Sequence, residues 1–383
     1  MTALLENLYQ GKSPDAQQKK AWAKWKGFPT RKTEAFRYVS LKKLEESKEL
    51  AAASVHFEYD APSQLVVLPL QEAKRTYGSL LEKRTAILSQ KEKDPFFFLN
   101  QAVGEGGLFI YVPPGVCIEK PLEIVQKIKK NQALHPRIEI FLGKGAQLTT
   151  TLTIDSEQGS FWNNANINVS VEENAHYRHF DHAGHHPEAW DFLSFQGELK
   201  EKSTLKFFSF GRGAKVQRRD LAIALAGEHA EAELKGMSLL NDQLEGHVHI
   251  RIDHLAPTAR SHQFFKHVLA ERARSSFEGK IFVEKEAQQT EAYQLNNNLI
   301  LSEKAAAFSK PNLEIFADDV KASHGATVSK PSLDELFYLR SRGLSEEEAR
   351  DHLVRGFCRE LIQDVSIPAL YAQFSGEINA YLS

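Results

Sequence analysis

Cysteine is almost absent. Cys117 and Cys358 are the only two in 383 residues, too few and too far apart for a disulfide framework or a thiolate metal site. No charge of one sign dominates: 48 Lys and Arg against 50 Asp and Glu leave a formal net charge of -2. That balance gives no general reason to expect nucleic acid or an anionic membrane surface as a partner. The short basic clusters, Lys127-Ile128-Lys129-Lys130 and Arg218-Arg219, read as solvated faces. No apolar run is long enough to span a bilayer, and the opening residues lack the basic-then-apolar pattern of an export signal. The compartment expected is a reducing cytoplasm. Also missing are the phosphate-cradling glycine loop, the dinucleotide fingerprint, the serine elbow and the His-Glu-x-x-His helix. If ATP drives this protein's work, another chain binds it.

What remains is a soluble globular composition, 42% hydrophobic and 26% charged, long enough for two ordinary domains or one elongated one. Three zones differ in texture. Residues 1–105 read as mostly helical. Ser13-Pro14 looks like a cap with proline at the first helical position, and Gly27 closes that helix. A second helical stretch, Leu80 to Ala102, is broken at Asp94-Pro95. Residues 106–331 are a succession of short β-type runs, among them "PRIEIFL", "QLTTTLTI", "STLKFFSF", "LAIAL" and "GKIFV", with no helical pattern between them. Residues 332–383 read as helical again.

The middle zone repeats. Short polar turns place a small residue at Ala146, Ala175, Ser203, Ala230, Ala259 and Ala287, with spacings of 29, 28, 27, 29 and 28. A period in this range with strands and no helices predicts a parallel β-solenoid, each coil burying its apolar face on the next. A β-sandwich with chance turn spacing is the alternative. A solenoid ends in exposed sheet edges; the flanking helical zones could cover them, or an end strand could pair with a partner.

Histidines cluster in "HYRHFDHAGHH": His176, His179, His182, His185 and His186. Spaced by three they would share a helix face and could hold a metal. On a strand the same spacing scatters them, and exposed histidines without a metal are the expectation here. In the last zone Ser332 to Glu335 and Ser345 to Glu348 are capping boxes, with Gly343 as the stop between them. Ala349, Leu353, Phe357 and Leu361 form an apolar stripe expected to dock on the solenoid. Read alone, His324 beside Gly325 is a histidine at a solenoid turn.

Four motifs together resemble a known family. They are "GFPTRKTEAFRYVSLKKL" (Gly27 to Leu44), "SFEGKIFVEKEAQQTEAYQLNNNLILS" (Ser276 to Ser302), "PNLEIFADDVKASHGATV" (Pro311 to Val328) and "ELFYLRSRGLSEEEA" (Glu335 to Ala349). The family is SufB/SufD, of the SUF iron–sulfur cluster assembly complex, and the resemblance runs along nearly the whole chain. It implies a right-handed parallel β-helix with helical flanks, and a non-catalytic scaffold subunit. The shorter length, with Cys117 as the one cysteine of the solenoid, fits the SufD type better than the SufB type. Implied partners are a SufB-like subunit, met through the β-helix, and the ATPase SufC, met through the C-terminal helices at Leu336, Phe337, Tyr338, Arg342, Gly343 and Phe357. A homodimer of the isolated chain stays open.

The resemblance further implies that His324 faces the SufB-like partner and holds a transient iron–sulfur cluster with a partner cysteine, no cofactor being bound stably. Imidazole, neutral at cytosolic pH, is a competent iron ligand. Asp318, Asp319 and Ser323 are candidates to orient it. Ala322 stands where many relatives carry cysteine, so no thiol chemistry is expected at that position. A β-helix polysaccharide lyase or hydrolase is the reading from another class, disfavoured by the missing export signal and the lack of a clustered catalytic set.

Overall fold

The computed structural model describes residues 3–9, 14–104 and 106–382. Two helices open the chain, α1 (Ala3–Tyr9) and α2 (Ala16–Lys24). Asp15 caps α2 in a full capping box with Gln18, whereas the expected cap at Ser13 lies outside the described residues. After α3 (Lys42–Glu45) come three short strands, β1 (Ala51–Ala52), β2 (His56–Tyr59) and β3 (Val66–Pro69). The sequence reading has this zone helical; strands of two to four residues are too short to show a period. Helix α4 (Leu70–Lys91) begins ten residues before Leu80, and α5 (Pro95–Val103) follows the predicted break. There Asp94 accepts from the amides of Phe96 (3.0 Å) and Phe97 (3.1 Å) while Pro95 takes the position that needs no donor.

The chain then winds into a β-solenoid of about eight turns. Its strands are β4 (Gly107–Val112), β5 (Leu122–Ile128), β6 (Gln132–Leu134), β7 (Arg137–Leu142), β8 (Gln147–Ser156) and β9 (Trp162–Val171). Two long ones follow, β10 (His176–Leu199) and β11 (Thr204–Leu225). The rest are β12 (Glu231–Leu240), β13 (Glu245–His254), β14 (Arg260–Leu269), β15 (Arg274–Val283), β16 (Thr290–Ile300), β17 (Ala306–Ile315) and β18 (Val320–Ser329). One face runs in parallel register through β5, β8, the first half of β10, the first half of β11, β12, β14, β16 and β18. The other runs through β4, β7, β9, the second halves of β10 and β11, β13, β15 and β17. "STLKFFSF" and "LAIAL" therefore belong to one strand that turns the corner. The bend comes at Gly184 (φ +62) and Gly213 (φ +87) in neighbouring coils, a backbone region that suits glycine.

Five of the six small residues stack as predicted. The amide following each bonds to the carbonyl of the one before: His176 to Ala146, Thr204 to Ala175, Glu231 to Ser203 and Arg260 to Ala230, at 2.8 to 3.0 Å. The sixth is not Ala287. Glu291 donates to the Ala259 carbonyl (3.1 Å), so Thr290 holds the place and Ala287 lies inside a turn lengthened in this coil. A left-handed residue precedes every member of the column: Gly145, Asn174, Lys202, His229, Thr258 and Gln289. The lumen between the faces is filled by Ile, Leu, Val and Phe, from Ile110 and Leu142 through Phe195 and Ile223 to Phe277.

The two ends differ. At the first, β2 pairs antiparallel with β5 and β3 with β4, so short strands close the edges. At the last, β17 and β18 have no further strand against them among the described residues. The helical zones lie along the sides instead. Helices α2 and α5 pack on one flank through Phe96, Trp162, Phe192 and Val216. On the first face dock α7 (Glu346–Ile362) and α8 (Pro368–Leu382), which follow α6 (Leu333–Ser341). The buried face of α7 is Ala349, Val354, Cys358, Leu361 and Ile362. Leu353 and Phe357, expected in that stripe, are only half-buried. Phe374 of α8 stacks on Phe210 (4.4 Å between centroids, 10° between planes).

Candidate functional site

The open last coil and the helix after it carry the candidate residues. His324 sits in the middle of β18, opposite Gln294 of β16 in the register. It is a strand residue, not the turn residue that Gly325 suggests. Ala322 and Val320 pack toward the lumen cluster of Ile281, Val283 and Ala292. Side chains alternate along a strand, so His324 shares their lumenal side, at the uncovered mouth of the solenoid. It is exposed because no coil follows. Its same-side neighbours, Ala322 and Ala326, are small and leave the imidazole room.

The three residues expected to orient His324 are not gathered around it. Ser323 points to the opposite face of the strand. Asp318 and Asp319 occupy the bend before β18, where the Asp319 amide donates to Gln288 Oε1 (2.9 Å) and its carbonyl accepts from the Gln289 amide (2.6 Å). Five residues of strand place Asp319 roughly 16 Å from His324. Gln294, unmarked in the sequence, is the polar side chain that the register brings to it.

The histidines of this cluster are split between buried and exposed positions rather than all exposed. Among the described residues no group of three or more His, Cys, Asp or Glu is placed to hold a metal. His179 is buried, its Nδ1 2.8 Å from Thr150 Oγ1, and burial pushes its pKa down to about 4. His182 is buried under α8 with Nε2 2.6 Å from Glu377 Oε1. His176 and His185 are exposed. Arg218 and Arg219 are likewise no solvated face. Both are buried: Arg218 pairs with Asp220, while Arg219 donates to Asp181 (2.6 Å) and Asp191 (2.7 Å). Asp220 comes from the same strand two residues on, whereas β10 of the neighbouring coil supplies Asp181 and Asp191, which sequence distance hides.

Only Lys330, Pro331 and Ser332 separate β18 from α6. Ser332 caps that helix by accepting from the Glu335 amide (3.3 Å), and Gly343 (φ +97) turns the chain into α7. Helix α6 buries no residue. Leu333 is 81% exposed, Phe337 76% and Tyr338 56%, a concentration of free apolar surface on a nine-residue helix. Leu336 is half-buried, and Arg342 lies over the Tyr338 ring at 5.3 Å. Phe357 is set apart from this group. It covers the buried Lys266, whose ammonium lies 4.1 Å from its ring and donates to its carbonyl (2.7 Å), so it belongs to the seam between α7 and β14.

A solenoid with one open end, flanking helices and the motifs around His324 and α6 agrees with the comparisons to known proteins. Residues 125–357 match the family described as SUF system FeS cluster assembly, SufBD core domain, and residues 48–124 match the SufBD protein N-terminal region. The chain belongs to the SufB/SufD family. Iron-sulfur cluster assembly protein SufD of Escherichia coli is 27% identical over 97% of this chain and 93% of its own length. A SufBD family protein of Synechocystis is 29% identical over 76% of this chain and 67% of its own. SufB of Bacillus subtilis is 25% identical over 85% and 73% respectively. The near full-length match on both sides fits the SufD type of SufB/SufD protein. SufB/SufD proteins are assembly subunits, which leaves the polysaccharide-cleaving alternative without support. Among the described residues no helix is long and apolar enough to cross a membrane.

Proposed function

We propose that this chain is a non-catalytic scaffold subunit of the SUF machinery, working in the cytoplasm. It pairs through its open β17–β18 end with a SufB-type subunit and binds a SufC-type ATPase through α6. His324 contributes one ligand to a nascent iron–sulfur cluster that a partner cysteine completes; the cluster is cargo and leaves with its acceptor. The observation that carries this reading is the uncovered last coil. An unpaired strand edge invites association and is seldom left bare, the opposite end is closed, and His324 stands at that opening. The exposed apolar side chains of α6 supply a second, separate surface of the kind that helix docking uses.

The two surfaces lie in different units, so they can be tested apart. A chain ending at Pro331 keeps the solenoid and lacks α6, α7 and α8. It is expected to lose the ATPase in co-purification while retaining the SufB-type partner. Because α7 and α8 also cover the first face, Phe337→Ala in the full chain is the milder form of the same experiment. Retention of the ATPase by either variant at wild-type affinity contradicts the assignment to α6.

A further inference from the structure

We infer that Gln294 is a positioning residue for His324, the outer member of a lumenal amide relay that fixes the imidazole tautomer; this rests on the ligand role proposed above for His324. The lumen carries polar groups at two levels, a chain through Gln126, Asn163, Asp191, Arg219 and Asp181 in earlier coils and a set of amides at the mouth. In column with His324 on the same face stand Gln294 and then Gln263. Both glutamines are buried, and Gln294 Nε2 donates to Gln263 Oε1 at 2.7 Å. That bond commits the amide nitrogen to the inner coil. Gln294 Oε1 is left buried with no hydrogen-bond partner among the described residues. A buried orphan acceptor is costly, and the next rung of the ladder, about 4.8 Å away, is His324.

The placement is built rather than incidental. Gly279 of β15 lies across the lumen, and a β-carbon there would come within 1.9 Å of Gln294 Nε2; the missing side chain is the space that the amide fills. The other lumenal amides near the mouth are already used. Asn298 donates to Asn296 Oδ1 (2.7 Å) and to the Thr327 carbonyl (2.9 Å), and Asn296 donates to the Phe265 carbonyl (3.2 Å). Gln294 alone among these keeps a buried acceptor without a hydrogen-bond partner among the described residues.

A neutral imidazole carries one N–H and one lone pair. Donation of its N–H to Gln294 Oε1 leaves the other nitrogen as the lone pair, aimed away from the lumen toward a metal at the open end. Outer partners of this sort set tautomer and ring orientation in histidine ligands generally. The relay therefore presents a metal-ready tautomer before any metal arrives.

The test needs no metal. The full chain labelled with nitrogen-15 at histidine, in alkaline buffer where the rings are neutral, gives ring tautomers from long-range proton–nitrogen spectra, with His324→Ala assigning the signal. Wild-type His324 is expected in one tautomer by about tenfold, the ratio that one net hydrogen bond supplies. Gln294→Met, of similar shape and without an acceptor, is expected to collapse that ratio, and Gln294→Glu, which restores an acceptor, to recover it. A wild-type ring averaging both tautomers overturns the inference without any variant, and so does an unchanged ratio in Gln294→Met. If the tautomer responds as stated but His324→Ala complexes keep a normal cluster, the relay stands and the ligand role fails.

Discussion

Phe337→Ala separates a docking role for α6 from a structural one. A phenylalanine offers about 200 Å² of surface, and Phe337 leaves 76% of its own exposed. Some 150 Å² is thus free to be covered by a partner, worth about 4 kcal/mol at 25 cal/mol/Å² as an upper bound. Ordering of the ring and of the partner's side chains reduces this to about 2–3 kcal/mol, the range of an interface anchor. The ATPase dissociation constant should rise about 30- to 150-fold. The free chain should hardly notice, with stability changed by no more than about 0.5 kcal/mol, because α6 buries no residue. Titration calorimetry against the purified ATPase measures the first quantity and thermal unfolding of the free chain the second. An unchanged dissociation constant refutes the reasoning. So does a lost affinity that a fall in melting temperature fully explains, since Phe337 would then be supporting the fold.

Two further predictions concern the solenoid. Arg219→Met leaves Asp181 and Asp191 buried and unpaired, which should cost at least about 3–5 kcal/mol and is checked by urea unfolding; near wild-type stability would mean that the carboxylates find other partners or protonate cheaply. His267 is buried with neither ring nitrogen partnered among the described residues, and burial pushes its pKa down to about 3. The unfolded chain takes this proton below about pH 6.5 and the native chain refuses it. Its share of stability is whole above that pH and is lost as pH falls toward 3. Removing it with His267→Leu should flatten the acid side of the stability curve by about 1.4 kcal/mol per pH unit between about pH 6 and pH 4, and an unchanged slope would mean that His267 titrates normally.

Much of the architecture was legible because it is periodic. A solenoid repeats the same turn in every coil, so Ala146, Ala175, Ser203, Ala230 and Ala259 declare the ladder in one dimension. The reading slipped at Ala287, where a longer turn moved the true position to Thr290 while a second alanine kept the spacing. Capping at Ser345 and the Asp94-Pro95 break are local chemistry and appear where expected. Properties that depend on neighbouring coils did not. Arg219 looks like part of a charged patch until the Asp181 and Asp191 carboxylates of β10 are brought beside it. β18, "VKASHGATVS", resembles a polar turn because an edge strand has nothing to bury against on its outer side. That same cause hid Gln294, which becomes a neighbour of His324 only through a register thirty residues long.

The central claim is that His324 holds cluster iron from an edge strand that needs no help from it to stay folded or paired. Complexes of this chain with a SufB-type subunit and the ATPase, purified anaerobically from cells, give the measurement: visible absorbance of iron–sulfur cluster per complex, wild type beside His324→Ala, with subunit stoichiometry checked. The side chain is exposed on its strand, so the variant should cost no more than about 1 kcal/mol of stability and keep its partners. Its cluster absorbance should be lost, and Ala322→Cys in the same chain should not restore it. An intact His324→Ala complex with a normal cluster load would contradict the account.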